Sequence, residues 1–444
     1  MLVMKFGGSS VADRAQIEKV LGIVRGRLAR GPIVVSSAHK GITNALIASG
    51  EAAARGDERA GSAVVEAQRA IAGELGVGEA TLAPLFDELT ELLHGIRLVR
   101  ELSRRSLDYV SSFGERMAVR VIAEYFSASG LPARAYDAWE LGFVTDSVFG
   151  AARPLPGFEG RVKSAFAELV PAGVVPIVTG FVGKSAVGEL TTVGRNGSDL
   201  TATLFAAALG AREVEIWSDT DGVMTADPRL VEEAQSIARM SFDEAAELAY
   251  FGSRMLHPAT LVPATANEIP VRVLNTNRPE HPGTVIERTL GEPDRAVTSV
   301  AYKENQSVLT VSSPRMLGER GFLSEIFAVA ARNGIVIDLV STSEISVSFT
   351  MPDDAEVQRA LPEFEALGAC RLATGKAVLS VVGQGMPAHP GAGAWILRAV
   401  ADSGVNVEMM SYGHGAINLS MVIDGRDVSR AVRSLHRALV EGEG

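Results

Sequence analysis

Short apolar runs alternate with longer stretches of helical periodicity along residues 1–285. Leu2-Val3-Met4-Lys5-Phe6 fits a buried parallel strand, Gly7-Gly8-Ser9-Ser10 a turn, and Arg14 to Leu28 a helix with Ile17, Val20, Leu21, Val24 and Leu28 on one face. Ile33-Val34-Val35 reads as a second buried strand and Ser36 to Gly41 as a polar loop at its end. From Thr43 to about Phe126 the period is helical, interrupted at Gly76-Val77-Gly78. Further strands are predicted at Ala133–Tyr136, Val174–Thr179, Val214–Trp217 and Pro270–Leu274, most of them separated by helical stretches. This alternation predicts one α/β domain with a largely parallel sheet, in which ligands collect at the C-terminal strand ends.

Beyond Pro282-Gly283 the texture changes. Gln306 to Asp353 reads strand (Val308 to Ser312), helix (Phe322 to Arg332), strand (Ile335 to Ser341), strand (Ile345 to Thr350). Lys376 to Asp424 repeats it with a strand at Val378–Val382, a helix at Ala394–Ala401, and strands at Val405–Met410 and Ile417–Val422. Asn333-Gly334-Ile335-Val336 and Ser403-Gly404-Val405-Asn406 occupy equivalent places, which marks an internal duplication. Each copy continues into a second helix, near Ala355–Leu367 and Asp427–Leu439, but only the first has a closing strand, at about Ala369–Ala373. An orphan strand, Ala296 to Tyr302, precedes the first copy and is expected to complete the second copy's sheet. That arrangement nests a first module of about 305–373 inside a second made of 295–304 and 374–444, all within a C-terminal region of 286–444.

Composition narrows the class. The chain has 444 residues, 47% apolar and 21% charged, with a formal net charge of −11. That is enough apolar material for two or three folded domains, and no basic block offers a footprint for nucleic acid. An anionic substrate would have to be met by a few local cations. Cys370 is the single cysteine, so an internal disulfide and a cysteine-rich metal site are ruled out and a reducing cytoplasm is expected. No apolar run reaches membrane-spanning length, and the start lacks signal-peptide anatomy, so no membrane association is expected.

Several stretches could carry chemistry. Gly194-Arg195-Asn196-Gly197-Ser198-Asp199, entered from the extended Gly188–Val193 and followed by the apolar run Leu200–Leu209, fits an anion-binding loop at a helix start or an ordinary turn and cap. In Lys5-Phe6-Gly7-Gly8-Ser9-Ser10 the lysine precedes the glycines, so this is not a Walker loop, though a phosphate role stays open. Ser111 to Met117 places Gly114 and Glu115 at an apparent helix start, where the carboxylate could serve the helix dipole or a ligand. The polar loop Ser218 to Arg229 could face a nucleotide and its magnesium or simply be solvated. His257-Pro258 resembles a helix start, with the histidine structural.

Together these residues resemble the aspartate kinases of the amino-acid kinase superfamily over essentially the whole chain. The motifs stand in family order: Lys5 to Ser10, Phe113-Gly114-Glu115-Arg116, Gly180-Phe181-Val182-Gly183, Thr191 to Asp199, Trp217-Ser218-Asp219 with Thr225 to Arg229, and Phe251-Gly252 with Leu256-His257-Pro258. The resemblance implies a three-layer αβα sandwich kinase domain with a mainly parallel sheet, followed by two ferredoxin-like (βαββαβ) ACT modules. It implies transfer of phosphate from ATP, with Mg2+, to the β-carboxylate of L-aspartate. Lys5, Asp199 and Arg195 are implied as catalytic, with Lys5 on the transferring phosphoryl group and Asp199 holding Lys5. Arg195 would also clamp a substrate carboxylate, Glu115 would take the substrate ammonium, and Thr43, Phe181 and Ser198 would complete the pocket. Gly7, Gly8, Ser9, Ser36, Ser218, Asp219, Met224, Arg229 and Arg254 would serve ATP. No resident metal is implied.

The tandem modules imply feedback by an amino acid. Met316, Leu317, Gly321, Phe322, Leu323, Asp338, Ser343 and Glu344 are most similar to the lysine-sensitive type, with Asp338 and Glu344 as acceptors for ammonium groups of L-lysine. Modules of this kind imply a homodimer, with a tetramer as the further option. Threonine, alone or with lysine, stays open as the effector. Four departures from the family pattern stand out: His39-Lys40 in place of small or apolar residues, Asn196 for glycine, Met224 for tyrosine and Arg254 for lysine. They are expected to change nucleotide affinity. Two other readings remain at this point, a related amino-acid kinase acting on another carboxylate or carbamate, and a catalytically silent amino-acid sensor.

Overall fold

A computed structural model of the chain describes residues 1–194, 196–251, 258–288, 295–318 and 320–442. The chain divides into two compact units. The first comprises Met1–Val223, Ala238–Phe242 and Met255–Thr289, and the second Met224–Ile237, Asp243–Arg254 and Leu290–Gly444.

The strands of the first unit are β1 (Leu2–Phe6), β2 (Pro32–Ser36), β3 (Ala133–Tyr136), β4 (Val144–Thr145), β5 (Val175–Thr179), β6 (Val182–Ser185), β7 (Leu190–Thr192), β8 (Val214–Ser218), β9 (Arg239–Ser241), β10 (Val271–Asn275) and β11 (Thr284–Glu287). Eight of them form one sheet in the order β3-β5-β2-β1-β8-β10-β11-β9, in which only the β10–β11 pair is antiparallel. The α/β class and the mainly parallel sheet are as expected. Strands buried on both faces read as continuous apolar runs, which is why β1, β2, β5, β8 and β10 were legible. The two- to four-residue strands β4, β6, β7, β9 and β11 carry too few positions to show a period. β4, β6 and β7 make a separate three-stranded sheet.

The parallel register brings the loops after β1, β2, β5 and β8 to one edge. Gly7 N donates to Trp217 O (3.1 Å), Ser37 N to Phe6 O (3.1 Å), and Gly180 N to Ser36 O (2.9 Å). The stretch expected to be helical from Thr43 to Phe126 is four helices, Ile42–Arg55, Ser62–Glu74, Ala83–Val99 and Arg104–Ala128. Glu115 was expected near a helix start, and the structure corrects this: it sits in the middle of the 25-residue helix Arg104–Ala128. Gly114 is tolerated there because it lets the loop after β2 approach; a Cβ at Gly114 would lie 2.7 Å from Ala38 Cβ. Arg116 is bidentate to Glu88 (3.0 and 2.8 Å) and Arg120 to Asp137 (3.0 and 2.9 Å), which fixes this helix on both sides.

The second unit contains one six-stranded sheet of β12 (Ser299–Ser312), β13 (Val340–Thr342), β14 (Ser346–Pro352), β15 (Ala369–Val382), β16 (Met409–Ser411) and β17 (Asn418–Asp424), in the order β13-β14-β12-β15-β17-β16. The orphan strand and the first strand of the first repeat are two parts of β12, separated by register shifts between Lys303 and Val308. Ser299–Lys303 pairs with Val378–Val382, and Val308–Ser312 with Ala369–Ala373. Ile335–Leu339, expected as strand, lies outside it, and β13 begins only at Val340. Two helices per repeat cover the sheet, Phe322–Arg332 with Ala355–Glu365 and Ala392–Asp402 with Val428–His436. Met224 and Thr225 are bonded to this sheet: Ser299 Oγ donates to both their carbonyls (3.0 and 3.1 Å) and Val300 N to Thr225 O (2.9 Å).

Near the start of β8, Glu215 is buried and accepts from Arg27 Nε, Arg30 Nη1 and Trp217 Nε1, each at 3.0 Å. Removing one member of a buried charge cluster leaves the others uncompensated. Here Arg27 and Arg30 are partly exposed and regain water, whereas the buried Trp217 Nε1 loses its acceptor, so Glu215→Ala is expected to cost about 1–3 kcal/mol, read as a lowered thermal transition of the purified chain.

Candidate active site

Lys5 Nζ lies 2.7 Å from Asp199 Oδ1, with both side chains nearly withdrawn from solvent. Lys5 comes from β1 and Asp199 from the first turn of the helix Gly197–Leu209, so this ion pair ties the strand to the helix. Asn196, before that helix, has φ of 53°. Asparagine is the non-glycine residue that best tolerates this region, which accounts for it where a glycine was expected.

A cavity of about 520 Å³ opens beside this pair. Gly8 and Ser9 line one part of it, Ser37 to Gly41 with Thr43 and Asn44 another, and Glu115, Phe181, Thr192, Gly194 and Asn196 to Ser198 the remainder together with Gly150. Thr43, Glu115, Phe181 and Ser198, far apart in sequence, are brought together here with two of the expected phosphate-loop residues. Ser36 is fully buried and its hydroxyl donates to Ser37 O, so Ser37 is the residue of that pair on the cavity wall. Arg195 and Arg254 lie outside the described residues, as does His257.

Glu115 dominates the electrostatics. It is 3% exposed, Oε1 accepts from Ala38 N (3.1 Å), and Oε2 is buried with no protein partner among the described residues. Burial pushes its carboxyl up to about 8; the backbone hydrogen bond and the Lys5 charge pull it down only in part. The unfolded chain would ionise this carboxyl at its ordinary value. The native state is thus favoured below that range and loses the advantage as pH rises to about 8. A bound cation would remove the penalty.

Sequence reasoning missed Asp108, which shapes the wall from behind. It is buried, and it accepts from Gly150 N (2.9 Å), Thr192 N (2.8 Å) and Thr192 Oγ1 (2.9 Å). Burial raises its carboxyl and the three hydrogen bonds lower it. Its spacing from Glu115, two helical turns along one face, was the available signal. His39, which departs from the small or apolar residues of the family pattern, lines this cavity, buried, with Lys40 exposed at the rim.

Of the other expected nucleotide residues, Ser218 and Asp219 stand at the end of β8, with Ser218 Oγ 3.4 Å from Asp219 Oδ1. In the second unit, Met224 is half-buried and Arg229 is exposed, its Nε 3.0 Å from Asp227 Oδ1. The Arg229 guanidinium holds the Asp227 carboxyl down to about 2. The expected effector residues fall in the first repeat. Leu317, Leu323, Ser343 and Glu344 are exposed, Met316 is half-buried, and Gly321 caps the helix that begins with the buried Phe322. The Asp338 carboxylate is inaccessible, paired with Lys303 Nζ (2.5 Å) and with the Tyr250 hydroxyl.

Chemically, the cavity offers the backbone of Gly8 and Ser9 along one wall and, on another, a buried carboxylate that has one unpartnered oxygen and feels the Lys5 charge. Among the described residues no cluster of three or more His, Cys, Asp or Glu side chains could hold a metal, and no helix is long and apolar enough to cross a membrane. Such a site suits a small molecule that is anionic at one end and carries an ammonium at the other.

Residues 1–275 match the amino acid kinase family and residues 379–439 an ACT domain. The chain is 36% identical to aspartokinase 1, chloroplastic, of Arabidopsis thaliana, covering 99% of this chain and 80% of that one. It is 34% identical to lysine-sensitive aspartokinase 3 of Escherichia coli, covering 99% of both. Among solved structures, E. coli aspartokinase III in complex with aspartate and ADP (R-state) superposes with a TM-score of 0.86 at 33% identity over 99% of both chains. The complex with lysine and aspartate (T-state) gives 0.78 at 32% identity, again over 99% of both. With this match along the whole chain, and with the ion pair and cavity assembled from its motifs, the protein belongs to the amino acid kinase family and, within it, to the aspartokinases.

Proposed function

We propose that the 520 Å³ cavity binds L-aspartate and that its β-carboxylate is phosphorylated there by ATP, as the first step toward the amino acids made from aspartate. The observation that carries this reading is the buried, unpartnered Oε2 of Glu115 on the cavity wall, within reach of the Lys5 charge, with Ser198, next in the chain to Asp199, on the same wall. A β-carboxylate oxygen attacks the γ-phosphorus, the bond to the bridging oxygen breaks, and ADP leaves with that electron pair; 4-phospho-L-aspartate is the product. No proton need move. The reaction instead needs two anions held together, which is a matter of charge compensation and positioning.

In this reading Lys5 neutralises the transferring phosphoryl group and Asp199 keeps its ammonium aimed. The N–H groups after Gly7 approach the phosphates, and Glu115 receives the α-ammonium. Arg195 takes a substrate carboxylate, while Thr43, Phe181 and Ser198 shape the pocket. Ser36, Ser218, Asp219, Met224, Arg229 and Arg254 belong to the nucleotide side. Magnesium enters as part of the substrate, MgATP. Residues 1–285 act as the catalytic part and 286–444 as the regulatory part, pairing in a homodimer in the cytoplasm.

The same reading makes L-lysine the feedback effector, supported by the lysine-bound E. coli relative and by the acidic residues of the first repeat. The Lys303–Asp338 pair means that an effector ammonium reaching Asp338 has to compete with an internal one. Glu344 is exposed and open to a ligand without such competition.

Five outcomes test these assignments. ADP release should depend on L-aspartate and not on glutamate or N-acetylglutamate, and Lys5→Ala should abolish it while lysine binding stays measurable by calorimetry. For Glu115, which must be ionised to hold an ammonium, kcat/KM for aspartate should climb about tenfold per pH unit below about 8 and level off above it. Glu115→Gln should flatten that rise and lower kcat/KM at pH 8 by about 10- to 100-fold, the size expected for a lost charge-assisted hydrogen bond. Glu344→Ala should relieve lysine inhibition with turnover changed less than about twofold; inhibition that persists in full would place the effector elsewhere.

A further inference from the structure

His39 is 1% exposed and lines the cavity that holds Glu115. Its Nδ1 is 3.1 Å from Gln68 Oε1, on the helix Ser62–Glu74, and Gln68 is itself fully buried. With the Gln68 amide oxygen turned toward it, Nδ1 carries the ring proton and Nε2 presents a lone pair. That Nε2 has no partner among the described residues, and neither has Glu115 Oε2. The two residues are coupled through one turn of chain: Ala38, directly before His39, donates its N–H to Glu115 Oε1 (3.1 Å).

A buried acceptor without a donor is costly, and once Glu115 is ionised both Oε2 and His39 Nε2 need donors that a ligand in the cavity can supply. The common need of Nε2 and Oε2 is a group with several N–H bonds. We propose that His39, through Nε2, is the second acceptor for the α-ammonium of L-aspartate and so helps distinguish aspartate from dicarboxylates that lack an amino group. The inference rests on the aspartate reading of the cavity. A tetrahedral ammonium has three N–H bonds, and one carboxylate oxygen leaves two of them unmet. Burial holds the imidazole neutral, its pKa pushed down to about 4, so it accepts from the cation without repelling it at neutral pH. Gln68 acts behind it as a positioning residue that fixes the tautomer.

The test compares His39→Leu, which keeps bulk but no acceptor, with His39→Gln, which keeps one. Measured are KM for L-aspartate, KM for ATP, and the inhibition constant of succinate, which has both carboxylates and no ammonium, competing against aspartate. His39→Leu is expected to raise the aspartate KM about tenfold or more, with succinate inhibition and ATP KM within about twofold of wild type, and His39→Gln to recover most of the loss. Equal weakening of succinate and aspartate would mean that His39 only shapes the cavity, and a shift confined to ATP would put it on the nucleotide; either result overturns the proposal. Wild-type turnover is measured first. Absence of aspartate-dependent ADP release overturns the parent reading, whereas normal wild-type turnover with an unaltered aspartate KM in His39→Leu overturns only the role of His39. If both variants unfold, NMR of the histidine ring nitrogens in the wild-type chain decides: the Nε2 signal moves on adding L-aspartate and not succinate, and no difference between the two ligands refutes the proposal.

Discussion

The contact on which the site depends is the ion pair between Lys5 and Asp199. A lysine near the end of an apolar central strand would be costly to bury alone, and so would a carboxylate buried against it in the first turn of an apolar helix. Paired at 2.7 Å, they lock the end of β1 to the helix Gly197–Leu209 and fix where a positive charge stands beside the loops at the strand ends. Gly7 and Gly8 follow directly after the strand, so backbone donors and the ammonium arrive together. The charge balance explains why an acidic chain can still meet an anionic substrate: the cations are few, local and held.

Glu115 supplies the opposite pole. Its position in the middle of a long helix places it deep in the unit, where water cannot solvate its charge, and the backbone N–H groups and the Lys5 charge compensate only in part. In the proposed reading, the resulting tension between burial and ionisation suits the carboxylate to receive an ammonium. His39 and Asp108 extend the same logic. One is a buried neutral imidazole on the cavity wall, and the other ties Gly150 and Thr192 into that wall through hydrogen bonds that span the fold.

Much of this was legible in the sequence where local pattern and tertiary role coincide. The buried strands announced themselves as apolar runs, the repeat by its Asn-Gly and Ser-Gly punctuation, and the helix Phe322–Arg332 by its period. What stayed hidden is non-local. Gly114 reads as a break until Ala38 is seen against it, Asp108 reads as a surface acid until its partners arrive from distant loops, and β12 reads as two strands because its register shifts fall between Lys303 and Val308. His39 shows the same limit from the other side: its departure from the family pattern was visible, but its place in the cavity with Glu115 was not.

In the second unit, Met224 and Thr225 hydrogen-bond to β12, so part of the expected nucleotide loop is continuous with the sheet that carries the repeats. The central claim concerns the chemistry in the first unit, and chemical trapping of the product tests it most directly. With ATP, L-aspartate and hydroxylamine present, the account predicts that the chain forms the β-hydroxamate of aspartate in amounts equal to the ADP released. ADP released without hydroxamate, or hydroxamate formed equally well from glutamate, would contradict it.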